Sequence, residues 1–443
     1  MKKLYILLCG ATAALLMAAC QGGKTAAADA EAGDTLEMKY AKLLTIVKHG
    51  DEEETSDEAE GIDYQYAEAI IANPWKAGTM LHRYILIPKG EEGDKTVAML
   101  ARRHSTGARC TTDTVRTPVE RSAVFIAPHC QLMYEMGCQQ AIRGVCDLDY
   151  INIPDVRKRA ASAGKASSGN ASSGNASSGN ASSGNASSGN ASSGNASSGN
   201  ASAQNSIVDC GSSMAPDIER IIALKPEAIL VSPFENSGGY GKLDKLHIPL
   251  IESADYMEAS PLCMAEWMKF YGMLCGNESV ADSLFSVVEK NYRTLASSVA
   301  HHTNKPSVVV DIPSSSVWYV PGGKSTIGQM VADAGGSYCF ADDSSSGSTA
   351  LSVETVLDKC ADADIWLFRY GGEKKTISMM KEDNKAFEHI KAFKNGNVWG
   401  CSTERTTFYE TTPFRPDNLL QEFIAIFHPE CPCEMKYFEK IYN

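Results

Sequence analysis

Two stretches of this chain alternate short apolar strands with helical segments, and a long helical stretch separates them. The first lies within residues 120–259 and the second within 305–443. The predicted strands are 124–127, 142–145, 228–231, 248–251, 308–312 and 365–368, and the predicted helices are 132–136, 218–224, 328–333 and 353–357. Strands that alternate with helices pack as a parallel sheet with helices on both faces. The predicted fold class is therefore α/β, with two doubly wound lobes.

The separating stretch, 260–304, carries apolar residues at helical spacing. Trp267, Phe270, Tyr271 and Leu274 follow the i, i+3, i+4, i+7 pattern of a buried helix face, and the pattern resumes further along. We therefore predict a long rigid helix that joins the lobes. Residues 37–119, ahead of the first lobe, are rich in β-branched and apolar runs, which predicts a strand-rich N-terminal extension.

The first twenty residues have the composition of an export signal. Lys2 and Lys3 precede an apolar run at 4–17, and small residues lead up to Cys20. The run of about 14 residues is shorter than the roughly 20 that cross a bilayer. A short positive region followed by such a run is typical of a cleaved secretory signal.

The end of this signal resembles a bacterial lipobox, with the sequence Leu-Met-Ala-Ala-Cys at 16–20. The resemblance implies that residues 1–19 are removed and that Cys20 is lipidated. Residues 20–36 are small and polar, so we expect a flexible tether. Acyl chains would then anchor the protein to the bacterial cell envelope, facing the periplasm.

Two segments have compositions that cannot bury apolar surface. Residues 161–205 are pentads, including seven copies of Ala-Ser-Ser-Gly-Asn, and residues 51–60 include seven acids. Ordering such segments costs backbone entropy that no buried surface offsets. We predict a disordered insertion in the lobe at 120–259 and an acidic loop in the extension.

Charge and motif content exclude several functions. Lys and Arg total 41 against 54 Asp and Glu, a net charge of −13, which argues against a nucleic-acid-binding protein. Residues 321–325 lack P-loop spacing, and no Gly-x-Ser-x-Gly or His-Glu-x-x-His motif occurs. The cysteines and histidines lack zinc-site spacing. The sequence therefore predicts no catalytic residue, no metal site and no resident cofactor.

A short element recurs in the two lobes. Asp217 is followed two residues later by Glu219, and Ser352 is followed two residues later by Glu354, each before an apolar pair. Asp and Ser are favoured helix N-caps, and the helix dipole favours a carboxylate in the first turn. Capping alone accounts for each glutamate, whereas recurrence in both lobes favours a second, shared role.

Several stretches carry motifs that fit one known family. They are 120–145, 218–229 (Ile-Glu-Arg-Ile-Ile-Ala-Leu-Lys-Pro-Glu-Ala-Ile), 328–336 with 352–354, and 392–398 with His-Pro-Glu at 428–430. Together they resemble the periplasmic binding proteins of ABC importers for iron siderophores, haem and cobalamin. The resemblance implies a binding lipoprotein, not an enzyme, that delivers its cargo to a permease dimer and its ATPase. It also implies that Glu219 and Glu354 dock on permease arginines.

In doubly wound lobes, ligands bind beyond the carboxyl ends of the strands. Aromatic rings stack on large flat ligands, and guanidinium groups hold carboxylates. The loops that leave the predicted strands supply both kinds of side chain. The candidate ligand-binding residues are His129, Phe234, Tyr240, Trp318, Tyr319, Arg369, Arg405 and Tyr409.

The residues leave several ligands open. The arginines favour an iron chelate, either a siderophore or haem, whereas cobalamin would need aromatic walls and few charges. Haem takes an axial Tyr or His, and Tyr409, Tyr319, Tyr240 and His129 are candidates. A bare metal ion needs several converging ligands, and His129 is the only histidine at a predicted strand exit. A structural or surface-interaction lipoprotein is the alternative of another class.

Overall fold

Three five-stranded sheets follow one another along the part of the chain that the structure describes. A computed structural model describes residues 33–50, 64–103, 112–168, 205–235 and 239–443. The predicted signal peptide, Cys20, most of the tether, the acidic run at 51–60 and most of the pentads lie outside these residues. Among the described residues, no helix combines the length and apolar character needed to cross a bilayer.

The first of these, the N-terminal sheet, has the strand order β1-β2-β3-β4-β5. Strands β1 to β4 are antiparallel, and β5 joins β4 in parallel after helix α1. One expectation is corrected here: residues 34–36 belong to strand β1, which pairs with β2, and not to a tether. The elements are β1 (Asp34–Leu36), β2 (Leu44–His49), β3 (Tyr66–Ala72), β4 (Met80–Pro88), α1 (Glu91–Arg103) and β5 (Thr112–Thr117).

Lobe one contains a fully parallel sheet in the order β12-β11-β6-β7-β8. The four residues of β11 are all buried, as expected of a strand covered on both faces. Its elements are β6 (Ser122–Val124), α2 (Ala127–Glu135), β7 (Ile142–Val145), α3 (Pro154–Ser168), β8 (Val208–Asp209), β9 (Gly211–Ser212), β10 (Ala215–Pro216), α4 (Ile218–Leu224), β11 (Ala228–Val231) and β12 (Leu250–Glu252).

Two boundaries in lobe one differ from the prediction. Strand β6 ends at Val124, because Pro128 occupies a favoured position in the first turn of α2. Helix α3 continues to Ser168, into the block predicted as a loop from Ala161. Helix propagation adds one hydrogen bond per residue once a helix has formed, and alanine has the highest helix propensity.

The connector between the lobes consists of α5 (Pro261–Glu266), α6 (Met268–Cys275) and α7 (Glu278–Val299). The prediction of one continuous rigid helix is wrong. Helix α6 ends because Gly276 adopts the left-handed conformation, with φ of 68°, and caps its carboxyl end. Helix α7 then begins after Asn277 and packs against the last long helix of lobe two.

Lobe two contains a sheet in the order β15-β13-β17-β18-β19, parallel except for edge strand β19, and a separate two-stranded antiparallel sheet of β14 and β16. The predicted α/β class with two lobes is thus confirmed. The elements are β13 (Ser307–Val310), β14 (Val317–Pro321), α8 (Thr326–Asp333), β15 (Ser337–Tyr338), β16 (Ser348–Ser352), α9 (Val353–Lys359), β17 (Ile365–Tyr370), α10 (Ile377–Asp383), α11 (Lys391–Lys394), β18 (Val398–Ser402), α12 (Phe408–Thr411), α13 (Pro416–Phe427) and β19 (Phe438–Lys440).

Two buried carboxylates, one in the connector and one just before it, bind the segment that follows strand β1 of the N-terminal sheet. Glu266 has no exposed surface and accepts hydrogen bonds from the backbone N–H groups of Lys39, Tyr40 and Ala41 at 2.7–2.9 Å. Glu258 accepts hydrogen bonds from the backbone N–H groups of Lys42 and Leu43 and from the indole N–H of Trp267, each at 2.9 Å. The irregular segment between β1 and β2 therefore has its N–H groups satisfied by side chains of a distant part of the chain.

We expect Glu266→Ala to lower the free energy of unfolding by about 3 kcal/mol, because one buried and two partly buried N–H donors lose their acceptor. Glu266→Gln keeps one acceptor oxygen and should lose less. Urea denaturation measures both, with the exposed Asp358→Ala as a control that changes stability by no more than about 0.5 kcal/mol. If Glu266→Ala lowers the free energy of unfolding no more than the control does, the hydrogen bonds of Glu266 to residues 39–41 do not stabilise the fold.

Candidate functional site

Loops at the carboxyl ends of the two parallel sheets meet each other. Asn152, in the loop after β7, donates its side-chain amide to the backbone oxygens of Thr403 and Thr406, after β18, at 2.7 and 3.0 Å. Its backbone N–H donates to the carboxylate of Glu410 at 2.6 Å. The carboxyl ends of both sheets therefore open onto one region between the lobes, which is where ligands bind in doubly wound folds. We call this region the cleft.

Two neighbouring candidates in strand β14 of lobe two differ in their exposure to solvent. Tyr319 is 53% exposed, whereas Trp318 has no exposed surface, donates its indole N–H to the oxygen of Val310 at 3.2 Å and stacks on Trp366. Successive side chains of a strand point to opposite faces. The prediction that Trp318 contacts ligand is corrected: its side chain belongs to the core of lobe two.

The loop after β18 supplies further exposed candidates. Arg405 is exposed, and Tyr409 is 50% exposed in helix α12. Phe408, the residue before Tyr409, is buried and anchors the short helix. Together with Tyr319, these side chains give the carboxyl edge of lobe two two phenols and a guanidinium within reach of solvent.

Arg369 also lies at this edge, but an internal partner holds it. Its Nε and Nη2 donate to the two carboxylate oxygens of Asp311 at 2.9 and 2.5 Å. Although burial lowers the pKa of Arg369, the adjacent Asp311 charge raises it above the usual value. A cavity of about 10 Å³ adjoins the pair, which is room for one water molecule. Arg369 is therefore a partly buried group whose guanidinium is already paired.

Lobe one presents fewer side chains. Phe234 is 48% exposed, after β11. Tyr240 is half-buried, and its hydroxyl donates to Glu252 at 2.9 Å at the end of β12. The other oxygen of Glu252 lies 2.9 Å from Nδ1 of His82, whose Nε2 lies 3.3 Å from Asp113. The N-terminal sheet thus reaches the carboxyl edge of lobe one, and sequence reasoning missed this contribution because the partners lie on different sheets.

His129 is not at the surface of the cleft. It is 1% exposed, and its Nε2 lies 2.8 Å from the hydroxyl of Tyr271 and 3.2 Å from Asp255. The ring of Phe414 from lobe two is 6.0 Å away. Pro128 lies in the first turn of helix α2, and the next side chain, His129, is buried. Its expected role as a ligand contact is therefore corrected to a buried one where the connector and both lobes meet.

The paired glutamates are placed alike in the two lobes. Glu219 and Glu354 are exposed in the first turns of α4 and α9. Asp217 caps α4 by accepting the N–H of Arg220 at 3.1 Å, and Ser352 caps α9 in the same way. Within the described residues neither glutamate forms an ion pair, so both carboxylates face water.

Comparison with known proteins identifies a domain. The family described as periplasmic binding protein matches residues 185–404. The chain carries a periplasmic binding protein domain. Members of that family bind solutes and are not enzymes. A periplasmic haem-binding protein of Pseudomonas aeruginosa has a similar fold, with 13% identity and a TM-score of 0.52 over 73% of this chain and 98% of that one.

Two archaeal relatives are similar in sequence. An uncharacterised lipoprotein of Methanocaldococcus jannaschii is 30% identical over 231 residues, 51% of this chain and 54% of that protein. A second uncharacterised protein of this archaeon is 22% identical over 245 residues, 54% of this chain and 73% of that protein. The chain therefore spans about half the length of the first relative.

We expect the stability of the protein to depend on pH through the contacts of His82 with Asp113 and Glu252. Burial alone would lower the pKa of His82, but hydrogen bonds to Asp113 and Glu252 raise it to about 9. A raised folded-state pKa contributes stability that is complete below the unfolded value of about 6.5 and is lost as pH rises through 9. As the pH rises from 6.5 to 9, the free energy of unfolding of the wild type should fall by up to about 3 kcal/mol more than that of His82→Gln. Urea denaturation of both proteins at several pH values measures this difference. If the two free energies of unfolding change with pH in parallel, the prediction is wrong.

Proposed function

We propose that the protein is the substrate-binding lipoprotein of an ABC importer and that it captures an iron chelate, a siderophore or haem, between its lobes. The observation that carries this proposal is the set of exposed side chains at the carboxyl edge of lobe two: Tyr319, Arg405 and Tyr409. Phe234 provides an exposed ring on the lobe-one side.

The chemistry of these side chains suits a large ligand with flat and anionic parts. Exposed rings stack on extended π systems, and a guanidinium binds carboxylate or catecholate oxygens through paired hydrogen bonds. A tyrosine oxygen is also an axial ligand for haem iron. The charge of Arg405 favours such chelates over cobalamin, which calls for a less charged cleft.

The relatives support parts of this proposal. One archaeal relative is named a lipoprotein, which agrees with the lipobox and with Cys20 as the lipidated residue that anchors the chain to the cell envelope. The Pseudomonas neighbour binds haem on the same fold. Members of the family serve ABC importers, so we propose a permease dimer with its ATPase as the membrane partner.

Delivery requires a docking surface on each lobe. Glu219 and Glu354 occupy equivalent exposed positions at the starts of α4 and α9. Two carboxylates, one on each lobe, suit a two-fold symmetric partner that presents cationic side chains. We therefore assign permease docking to this pair of glutamates.

Ligand binding is tested with haemin, a ferric catecholate siderophore, a ferric carboxylate siderophore and cyanocobalamin, using absorption spectra and thermal stabilisation. We expect a ferric chelate or haemin to bind, and Arg405→Ala to weaken its binding at least about tenfold, because a charge-assisted hydrogen bond contributes 1.5–3 kcal/mol. Lys394→Ala removes a charge at the opposite edge of lobe two and should leave affinity unchanged. Binding of cyanocobalamin alone would favour the corrinoid alternative, and binding of no probe would favour a structural lipoprotein.

Docking is tested by uptake of the bound probe in cells that carry the cognate permease. The double variant Glu219→Lys with Glu354→Lys should abolish uptake while ligand affinity stays unchanged, because the repulsive charges lie on the surface. Glu91→Lys with Glu382→Lys makes the same charge change elsewhere and should transport normally. Uptake at the wild-type rate by the first double variant would refute the docking assignment.

A further inference from the structure

A second cluster of ligand atoms lies on lobe two, away from the cleft. The Nδ1 atoms of His302 and His428 are 3.0 Å apart, and a carboxylate oxygen of Glu430 lies 3.8 Å from Nδ1 of His302. All three ligand atoms lie within 4.8 Å of one another. Two imidazole nitrogens and one carboxylate oxygen therefore converge on a single point.

The cluster is at the edge of the lobe-two sheet opposite the cleft. His302 follows the last helix of the connector, α7, and strand β13 begins after it at Ser307. His428 ends helix α13, and its ring contacts the turn after α8, just before β15 begins at Ser337. These positions lie beside the amino ends of the strands, whereas the cleft lies at their carboxyl ends.

His428 is held in the orientation of a metal ligand. It is 4% exposed, and its Nε2 lies 3.0 Å from the backbone oxygen of Ala334. A carbonyl oxygen only accepts, so Nε2 carries the proton and the lone pair of Nδ1 points at His302. Metal-binding histidines are fixed in this way by a hydrogen bond from the other ring nitrogen.

The backbone around His428 is built to admit the ring. Gly335 has φ of 76°, and a Cβ at this position would lie 2.7 Å from Nε2 of His428. The turn after α13 closes with a hydrogen bond from the N–H of Cys431 to the oxygen of His428 at 2.8 Å. This turn brings Glu430, two residues on, back to the two rings.

We propose that His302, His428 and Glu430 bind a divalent transition-metal ion of the zinc type. Two histidines and one carboxylate are a ligand set that zinc accepts, with a fourth position left for water. Ligand atoms of a tetrahedral zinc site lie about 3.3 Å apart, and the measured 3.0 and 3.8 Å bracket that separation. Small rotations of the exposed Glu430 and of His302 complete the geometry.

The proposed ion joins elements that are far apart in sequence. His302 belongs to the end of the connector, and the other two ligands follow the last long helix of lobe two. Metal binding to the folded state alone stabilises that state by mass action. Without metal, His302 donates its Nδ1 proton to His428, so the competing arrangement is a single hydrogen bond between the rings.

The experiment uses the full chain after removal of metals with a chelator. Zn²⁺ is titrated by calorimetry and by thermal denaturation, and Co²⁺ is added as a spectroscopic probe of tetrahedral nitrogen and oxygen ligation. We expect one equivalent of Zn²⁺ to bind and to raise Tm. His302→Ala should weaken binding at least tenfold, and Glu430→Gln should weaken it less.

His301→Ala provides a matched control, because it removes an adjacent exposed histidine that is not part of the cluster. It should bind Zn²⁺ like the wild type. His302 is only partly buried, so its variant is expected to fold, and its Tm without metal checks this. Wild-type affinity in His302→Ala, or no binding by the wild type, would overturn the proposal.

Discussion

The connector buries its aromatic side chains against the N-terminal sheet and against residues of both lobes, and the arrangement of the lobes depends on that burial. Phe270 and Tyr271 have no exposed surface. Phe270 packs 6.2 Å from Tyr84 of the N-terminal sheet, while Tyr271 packs 4.7 Å from His129 of lobe one and 5.9 Å from Phe414 of lobe two. Each such ring contributes about 1.5–3 kcal/mol of burial free energy. Two neighbouring residues thus connect three parts of the described chain that contain separate sheets.

Buried carboxylates accept hydrogen bonds from backbone N–H groups that this packing would otherwise leave without a partner. Irregular segments crowded against helices leave backbone N–H groups without a partner, and a buried unsatisfied donor is costly. Glu258 and Glu266 accept from residues 39–43, and Glu422 accepts from the N–H groups of residues 436–438 at 2.5–3.2 Å. The pKa of both Glu258 and Glu422 lies above the usual value, because burial raises it by more than the accepted hydrogen bonds lower it. The acidic composition is therefore partly structural.

How much the sequence predicts depends on whether the signal is local. Helix α4 and strands β7 and β11 have their predicted bounds, because each is a short apolar run closed by a nearby Pro, Gly or polar turn. The break at Gly276 was missed, although a glycine beside an asparagine is a common helix stop. The error at Trp318 arose because the sequence predicts a loop there, whereas residues 317–321 form strand β14, in which successive side chains alternate between core and surface.

The contacts between distant segments had no sequence signal at all. His82 meets Glu252 across 170 positions, and His302 meets His428 across 126. In each case the partners lie on different elements, and only the packing of those elements decides the contact. A histidine in such a sequence gives no indication of its partner, so neither cluster was predictable from spacing.

The two arginines at the lobe-two edge differ in what they can offer a ligand. Arg369 already donates to both oxygens of Asp311, so an incoming carboxylate gains only the difference between two similar ion pairs. Separating the pair would also leave Asp311, 14% exposed, without its cation. Arg405 is exposed, so it binds an anion without first breaking an ion pair of the kind that Arg369 forms with Asp311. We therefore propose that Arg405, rather than Arg369, recognises anionic groups of the ligand, because the guanidinium of Arg369 is already paired with Asp311.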